Sequence, residues 1–286
     1  MVKYSLKGEG AILTNYICTT CGVQYDAAPK EPAECIICNE ERQYVNHSGQ
    51  AWTTLEEMKQ SGRFQNEIAL EVERLYSLTT TPEFGIGQSA YLIQEPGFNL
   101  LWDCITYLDQ RTFENIERMG GVQAIALSHP HYYAAQTEWA EKFDAPIYIH
   151  EDDKQWVQRP SSRIVFWSGD SLKLSSGLTL HRLGGHFKGG AVCHWANGNG
   201  GKGILLSGDI IQVVQDRRWV SFMYSYPNLI PLPAGKVEQM ADQLKNVPFN
   251  RLYGAFRRLV ENHAGERVQL SAARYAEALQ GTLFST

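Results

Sequence analysis

The sequence predicts an α/β protein carrying a small cysteine-rich ribbon near its N-terminal end. Three observations lead there. Short apolar runs recur from residue 84 onward, punctuated by Gly, Pro, Asn and Asp, as strand boundaries are. Helical patterns interleave with these runs, and strands followed by helices define an α/β domain. Four of the six cysteines stand in the first fifty residues, which are polar and show little periodicity.

The 286 residues suggest one large domain or two unequal ones, at about 150 residues per domain. The texture divides them into a ribbon at 1–50, a linker with one helix at 51–83, and a main domain at 84–286. The linker helix is expected around 55–70, ending before Thr79-Thr80-Thr81-Pro82. Strands are expected at 89–94, 99–102, 122–127, 145–150, 178–183, 191–195 and 203–206. Helices are expected at 112–119, 134–143, 236–246 and 271–279.

Composition narrows the function classes. With 43% hydrophobic and 20% charged residues, the chain has ordinary globular composition and is not disordered throughout. Lys and Arg number 26 against 31 Asp and Glu, for a net charge of −5. That balance argues against a nucleic-acid partner, which calls for a basic face. No apolar run approaches the roughly 20 residues needed to cross a bilayer. The first eight residues lack a signal-peptide core. The expectation is a cytoplasmic protein acting on a small molecule, away from membranes.

The cysteines are spaced as Cys18-Thr19-Thr20-Cys21 and Cys35-Ile36-Ile37-Cys38. Each Cys-x-x-Cys turn aims two thiolates at one point, and two such turns complete a tetrahedral site. In a reducing compartment the pattern reads as metal rather than disulfide. A segment this small buries little core, so metal binding supplies most of its folding free energy. Cys104 and Cys193 read as small buried apolar residues.

A second constellation lies in the main domain. An apolar strand runs into Ser128-His129-Pro130-His131-Tyr132-Tyr133. Alternate residues leaving a strand put both imidazoles on one side. Leu183-Gly184-Gly185-His186 follows a later strand, and Ser207-Gly208-Asp209 ends another. Three imidazoles and a carboxylate suit zinc or non-haem iron.

These motifs resemble two known families. Cys18-x-x-Cys21-Gly22 with Tyr25-Asp26 resembles the ribbons of rubredoxins and rubrerythrins, over about residues 14–46. That implies zinc or iron, with structural zinc favoured by the second turn, where Ile36-Ile37 replaces the usual Pro and Gly flanks. Ser-His-x-His, then Gly-Gly-His, then Ser-Gly-Asp resembles the metallo-β-lactamase superfamily from about Phe84 onward. Leu101-Trp102-Asp103 matches that family's early strand ending in Asp. The resemblance implies an αββα sandwich with metal at the edge of two sheets. It places His129, His131 and His186 on the first-metal ligands and Asp209 on the bridging carboxylate.

The departures are informative. The family's His-x-His-x-Asp-His run has Tyr133 here in place of Asp and Ala134 in place of the last His. Ala255 stands where a late ligand is expected, and His263 lies further on. With those ligands missing together, one zinc or iron is expected at the histidine site.

Around it, Tyr132 and Tyr133 are candidates to donate to an oxyanion or to pack in the core. Lys188 is a candidate anion contact or a solvated loop residue. Residues 216–228, with Arg218 and Tyr224, form a long aromatic stretch suited to substrate or to an interface.

Three functions remain open. One is a single-metal hydrolase of an ester, lactone or thioester, with Asp209 as ligand or base. The second is an iron oxygenase resembling persulfide dioxygenases through His129, His186 and Asp209. The third is a binding protein without catalysis. A homodimer is compatible with all three.

Overall fold

The computed structural model describes residues 12–285. The first eleven residues of the ribbon range, including the stretch read for a signal peptide, lie outside them. Two sheets face each other. The first has seven strands in the order Gln65–Val72, Leu75–Thr81, Ala90–Glu95, Phe98–Trp102, Ala124–Ala126, Ile147–His150 and Ile164–Trp167. Its first four strands pair antiparallel as a meander. Its last four pair parallel through helical crossovers. The second sheet orders Ser171–Lys173, Leu178–Arg182, Ala191–Trp195, Ile204–Gly208, Arg251–Gly254 and Leu259–Val260.

The short runs at 124–126, 191–195 and 204–208 are buried along their whole length. Strands covered on both faces read in this way. Between the sheets lies one apolar layer, with Leu100, Trp102 and Ala126 from the first sheet and Leu180, Cys193 and Leu206 from the second. Helices Gln110–Arg118 and Gln136–Phe143 contribute Ile116, Trp139 and Ala140 to the cluster outside the first sheet. Helices Ala234–Leu244 and Ala264–Leu279 contribute Val237, Met240 and Val268 to the cluster outside the second. The result is the four-layer αββα sandwich.

Two expectations need correction. The linker is not a linker. Only Leu55–Gln60 is helical, started by a Thr54–Glu57 capping box in which each side chain answers the other's backbone N–H. Residues 65–81 form an antiparallel hairpin at the edge of the first sheet. Leu55 and Met58 have helical spacing, but Ile68, Leu70 and Val72 alternate at the strand period, so two patterns had merged into one apparent helix. The last helix starts at Ala264 rather than 271. The strand at 171–173 is short and mostly polar and exposed, whereas Ile164–Trp167 is an unbroken apolar run, absent from the expected strands, whose Val165 and Phe166 lie exposed in the fold.

The ribbon is clasped onto the sandwich. Its Cys18, Cys21, Val23 and Cys35 are buried in the same cluster as Tyr133 and Trp139. Thr106 Oγ1 donates to the Gly22 carbonyl at 2.8 Å, and the Gln24 N–H donates to the Ala134 carbonyl at 2.9 Å. Gly22 has φ +79°, and a Cβ there would collide with Thr106, so only glycine fits this turn. Among the described residues no helix is long and apolar enough to cross a membrane.

Candidate metal centre

His129, His131, His186 and Asp209 are all buried, and one donor atom from each lies within 4.8 Å of every other. His129 leaves the strand Ala124–Ala126, and His131 sits in the short turn Pro130–Tyr132 that follows. His186 lies in a loop closed by the Leu183 and Gly184 N–H groups, both donating to the Gly190 carbonyl at 2.9 Å. Asp209 ends the strand Ile204–Gly208. Gly208 brings it close, with φ +53°, where a Cβ would stand 2.6 Å from Ser128 Oγ.

Hydrogen bonds fix the histidine tautomers. Ser128 Oγ donates to Asp103 Oδ2 at 3.0 Å and lies 2.8 Å from His129 Nδ1. The hydroxyl proton is thus engaged, so His129 Nδ1–H donates to Ser128 and its Nε2 keeps a lone pair. Asp103 also accepts the Ser128 N–H at 2.7 Å. It sits at φ +59°, a conformation that a short polar residue tolerates better than most. His186 Nδ1 lies 2.8 Å from the Tyr224 carbonyl, so Nδ1 donates there and Nε2 is free. Carbonyl and carboxylate partners of this kind orient metal-binding imidazoles.

The charges agree with this assignment. Burial holds His129 and His131 well below the ordinary imidazole pKa, with the neighbouring histidines acting in the same direction. Burial lowers His186 to about 4. All three imidazoles are therefore neutral donors near neutral pH. Burial pushes Asp209 up to about 6, opposed by a contact with the Tyr132 phenol. Burial raises Asp103 to about 8 against the two Ser128 hydrogen bonds, and a cation held by the neighbouring donors would favour its charged form.

These donors fit a metal ion. His131 Nδ1 and His186 Nε2 face each other at 3.3 Å. Two nitrogens on one tetrahedral zinc at its usual bond length stand about 3.3–3.4 Å apart. His129 Nε2 and Asp209 Oδ1 are buried with no hydrogen-bond partner, a costly state unless something else engages them. In the ribbon, Cys18–Cys38 and Cys21–Cys35 sulfurs each stand 3.6 Å apart. That is near the ~3.8 Å expected for thiolates sharing one tetrahedral zinc. Tyr25 Oη and Gln50 Nε2 donate to Cys35 and Cys18 at 3.2 and 3.3 Å.

The other predicted residues divide. Tyr132 is fully buried with its ring 4.4 Å from that of His129, and its hydroxyl has no well-formed partner. Tyr133 is buried in the apolar cluster shared with the ribbon, and its ring is not among those packed against the histidine rings. Tyr224 meets the centre through its backbone carbonyl, while its ring lies 5.2 Å from the Arg42 guanidinium. Lys188 turns outward onto Asp152 at 3.0 Å with its side chain 75% exposed. The Gly-flanked loop that points His186 inward leaves its second neighbour in solvent. Arg218 pairs with Asp216 on the surface and lines a shallow groove with residues 259–262 and 267. Neither Lys188 nor Arg218 reaches the donors. His263 is exposed beside Glu266 and is no ligand. The Ala255 carbonyl accepts the Ser89 N–H at 2.7 Å.

Sequence reasoning missed Arg42. Its Nη1 donates to the His186 carbonyl at 2.8 Å, and its guanidinium lies 3.9 Å from the centre of the Phe187 ring. The ring of Phe187 packs against those of His131 and His186. Ser225 Oγ and Asn228 Nδ2 both donate to the Glu41 carbonyl, at 2.7 and 2.9 Å. The aromatic stretch at 216–228 is therefore the seat of the ribbon's trailing segment. Beside His131 and Asp209 that segment leaves a cavity of about 20 Å³, lined also by Gln43, Tyr226 and Phe256. This is room for about one water.

No protein-family model matches the chain. Solved structures do. DIM-1 metallo-β-lactamase aligns over 73% of this chain and 97% of its own, with TM-score 0.56 and 13% identity. FIM-1 from Pseudomonas aeruginosa, in its mono-zinc form, covers 74% and 96%, with TM-score 0.54 and 13% identity. A metallo-β-lactamase from Hirschia baltica covers 74% and 97%, with TM-score 0.52 and 14% identity. The sandwich thus has the metallo-β-lactamase fold. The chain is also 62% identical over 271 residues to the uncharacterized protein YmaE of Bacillus subtilis strain 168, spanning 95% of this chain and 99% of that one. It belongs to the YmaE family.

Proposed function

We propose that the protein is a hydrolase of a small ester, lactone or thioester, with one metal ion at the histidine centre and a structural zinc in the ribbon. The observation that carries this reading is the convergence of four buried donors, two of which, His131 and Asp209, border a water-sized cavity. Zinc bound there would acidify a water toward neutral pH and polarise a carbonyl. His129, His131 and His186 would hold the ion as neutral imidazoles. Asp209 would be a fourth ligand or accept the proton of the attacking water, a task that favours a carboxyl raised by burial. Tyr132 would donate its free hydroxyl to the developing oxyanion. Asp103 and Ser128 would keep His129 in the required tautomer.

The presence of a third imidazole, His131, alongside His129 and His186 favours hydrolysis over the oxygenase reading, which needs two histidines and one carboxylate. The net charge of −5 supports a small-molecule substrate over nucleic acid.

The test is hydrolysis of p-nitrophenyl acetate, a simple lactone and a thioester by metal-loaded protein and by a His129→Ala/His186→Ala variant. Turnover that disappears with the histidines supports the reading. Equal rates in both proteins would refute it. Oxygen uptake with glutathione persulfide, lost in the same variant, would instead select the oxygenase.

A further inference from the structure

Gln43 is buried at 2% exposure and lines the same cavity as His131 and Asp209. Its Oε1 accepts the Tyr44 backbone N–H at 2.8 Å, which fixes the amide's orientation. Nε2 is therefore the donor end, and it is buried with no partner. Native interiors rarely leave such a donor unpaired. The neighbouring cavity is where a partner can stand.

Arg42, the adjacent residue, offers that cavity no free charge. Its Nε and Nη2 engage the two Glu40 oxygens at 2.9 Å each, and its Nη1 engages the His186 carbonyl at 2.8 Å. The cation is neutralised and its face is covered by Phe187. Arg42 and Tyr44 also line the cavity, and beside them the neutral Gln43 amide is a buried donor left unpaired, with Ile86 and Phe256 as apolar neighbours. The only countercharge for a phosphoester or dicarboxylate would be the metal ion itself, with no second free cation from the described residues of the ribbon. A neutral carbonyl oxygen would find a hydrogen bond.

We propose that Gln43, supplied by the ribbon, is the substrate-orienting and specificity-determining residue of the histidine centre, donating Nε2–H to the carbonyl oxygen of an uncharged ligand. This rests on the hydrolase reading above and adds to it the substrate's charge and the donor that selects it.

The test is calorimetric titration of the metal-loaded, full-length protein with acetohydroxamic acid and, separately, with inorganic phosphate. The proteins compared are wild type, Gln43→Met and Gln43→Glu, each checked for metal content and thermal unfolding. Met keeps the shape without the donor. Glu keeps the acceptor for Tyr44 but replaces the donor with negative charge. Wild type is expected to take the hydroxamic acid in preference to phosphate. Binding is expected to weaken about fivefold in Gln43→Met and about tenfold or more in Gln43→Glu, with metal content unchanged, the loss of one net hydrogen bond. Variants that bind within about twofold of wild type, less than one hydrogen bond is worth, would overturn the role of Gln43 alone. So would loss of the histidine-site metal in the variants, or a wild-type preference for phosphate. If loaded wild type takes no hydroxamic acid at all, both the hydrolase reading and the role of Gln43 fall.

Discussion

The ribbon gathers four sulfur donors from two turns 20 residues apart or less, whereas the histidine centre gathers its four from three loops between residues 129 and 209. Three of the four cysteines have no solvent exposure, and their sulfurs accept hydrogen bonds from Tyr25 and Gln50. Four thiolates packed this closely would repel one another and need a cation among them. In the histidine centre, His131 and Asp209 instead border a cavity of about 20 Å³. Closed four-cysteine sites hold structure together, while catalytic sites keep a position open. The two centres have equal donor counts and differ in the space beside them.

The sharpest way to break this comparison is to remove His129 and His186 together. Plasma mass spectrometry should then find one metal per chain where wild type has two, with hydrolysis gone and the ribbon still loaded. One metal in both proteins would show that only the ribbon binds. A Cys18→Ser/Cys35→Ser variant should do the reverse. Structural zinc contributes on the order of 10 kcal/mol to such small folds, so the ribbon should unfold. Trypsin should cut at Lys30 and Arg42 in that variant while the sandwich resists. An intact ribbon in that digest would contradict the assignment.

Smaller changes sharpen the contrast. Ser128→Ala removes the hydroxyl between Asp103 and His129. Metal affinity at the histidine centre should fall about 10–100-fold, as the loss of such orienting partners does, with no effect on the ribbon metal. Competition with a chelator of known affinity measures both. Arg42→Ala should destabilise the fold by about 1–3 kcal/mol through the lost charged hydrogen bonds and ring contact, read by urea unfolding. Lys188→Ala and Arg218→Ala should leave KM and stability unchanged within error, since both side chains are exposed. A raised KM in either would return it to the substrate site.

The sequence made the donors legible because each depends on local spacing. Cys-x-x-Cys and His129-Pro130-His131 bring their members together through one turn. The strand-end placement of His186 and Asp209 follows from apolar runs that stop at Gly. Arg42 and Gln43 carried no such signal. Arg42 reaches His186 across 144 residues, and nothing in its neighbours says where the ribbon's tail will lie. Tyr132 and Tyr133 were indistinguishable by type. The left-handed backbone at Ala134, φ +45°, belongs to a tight turn whose geometry the sequence does not display, and the two rings leave it into different surroundings. The 65–81 hairpin was hidden because an edge strand with polar alternation adjoins a short helix.

The Glu41 carbonyl, held by Ser225 and Asn228, has a consequence for inheritance. The stretch that follows the last cysteine looks from the text like a disposable join between two modules. It is instead anchored in the larger one and forms a wall of its pocket. A recombination that exchanged the ribbon for another of equal metal affinity would carry Arg42 and Gln43 away with it. The two parts can therefore diverge only as a pair, and a chimera that folds and loads both metals would still have lost one wall of the pocket beside the histidine centre.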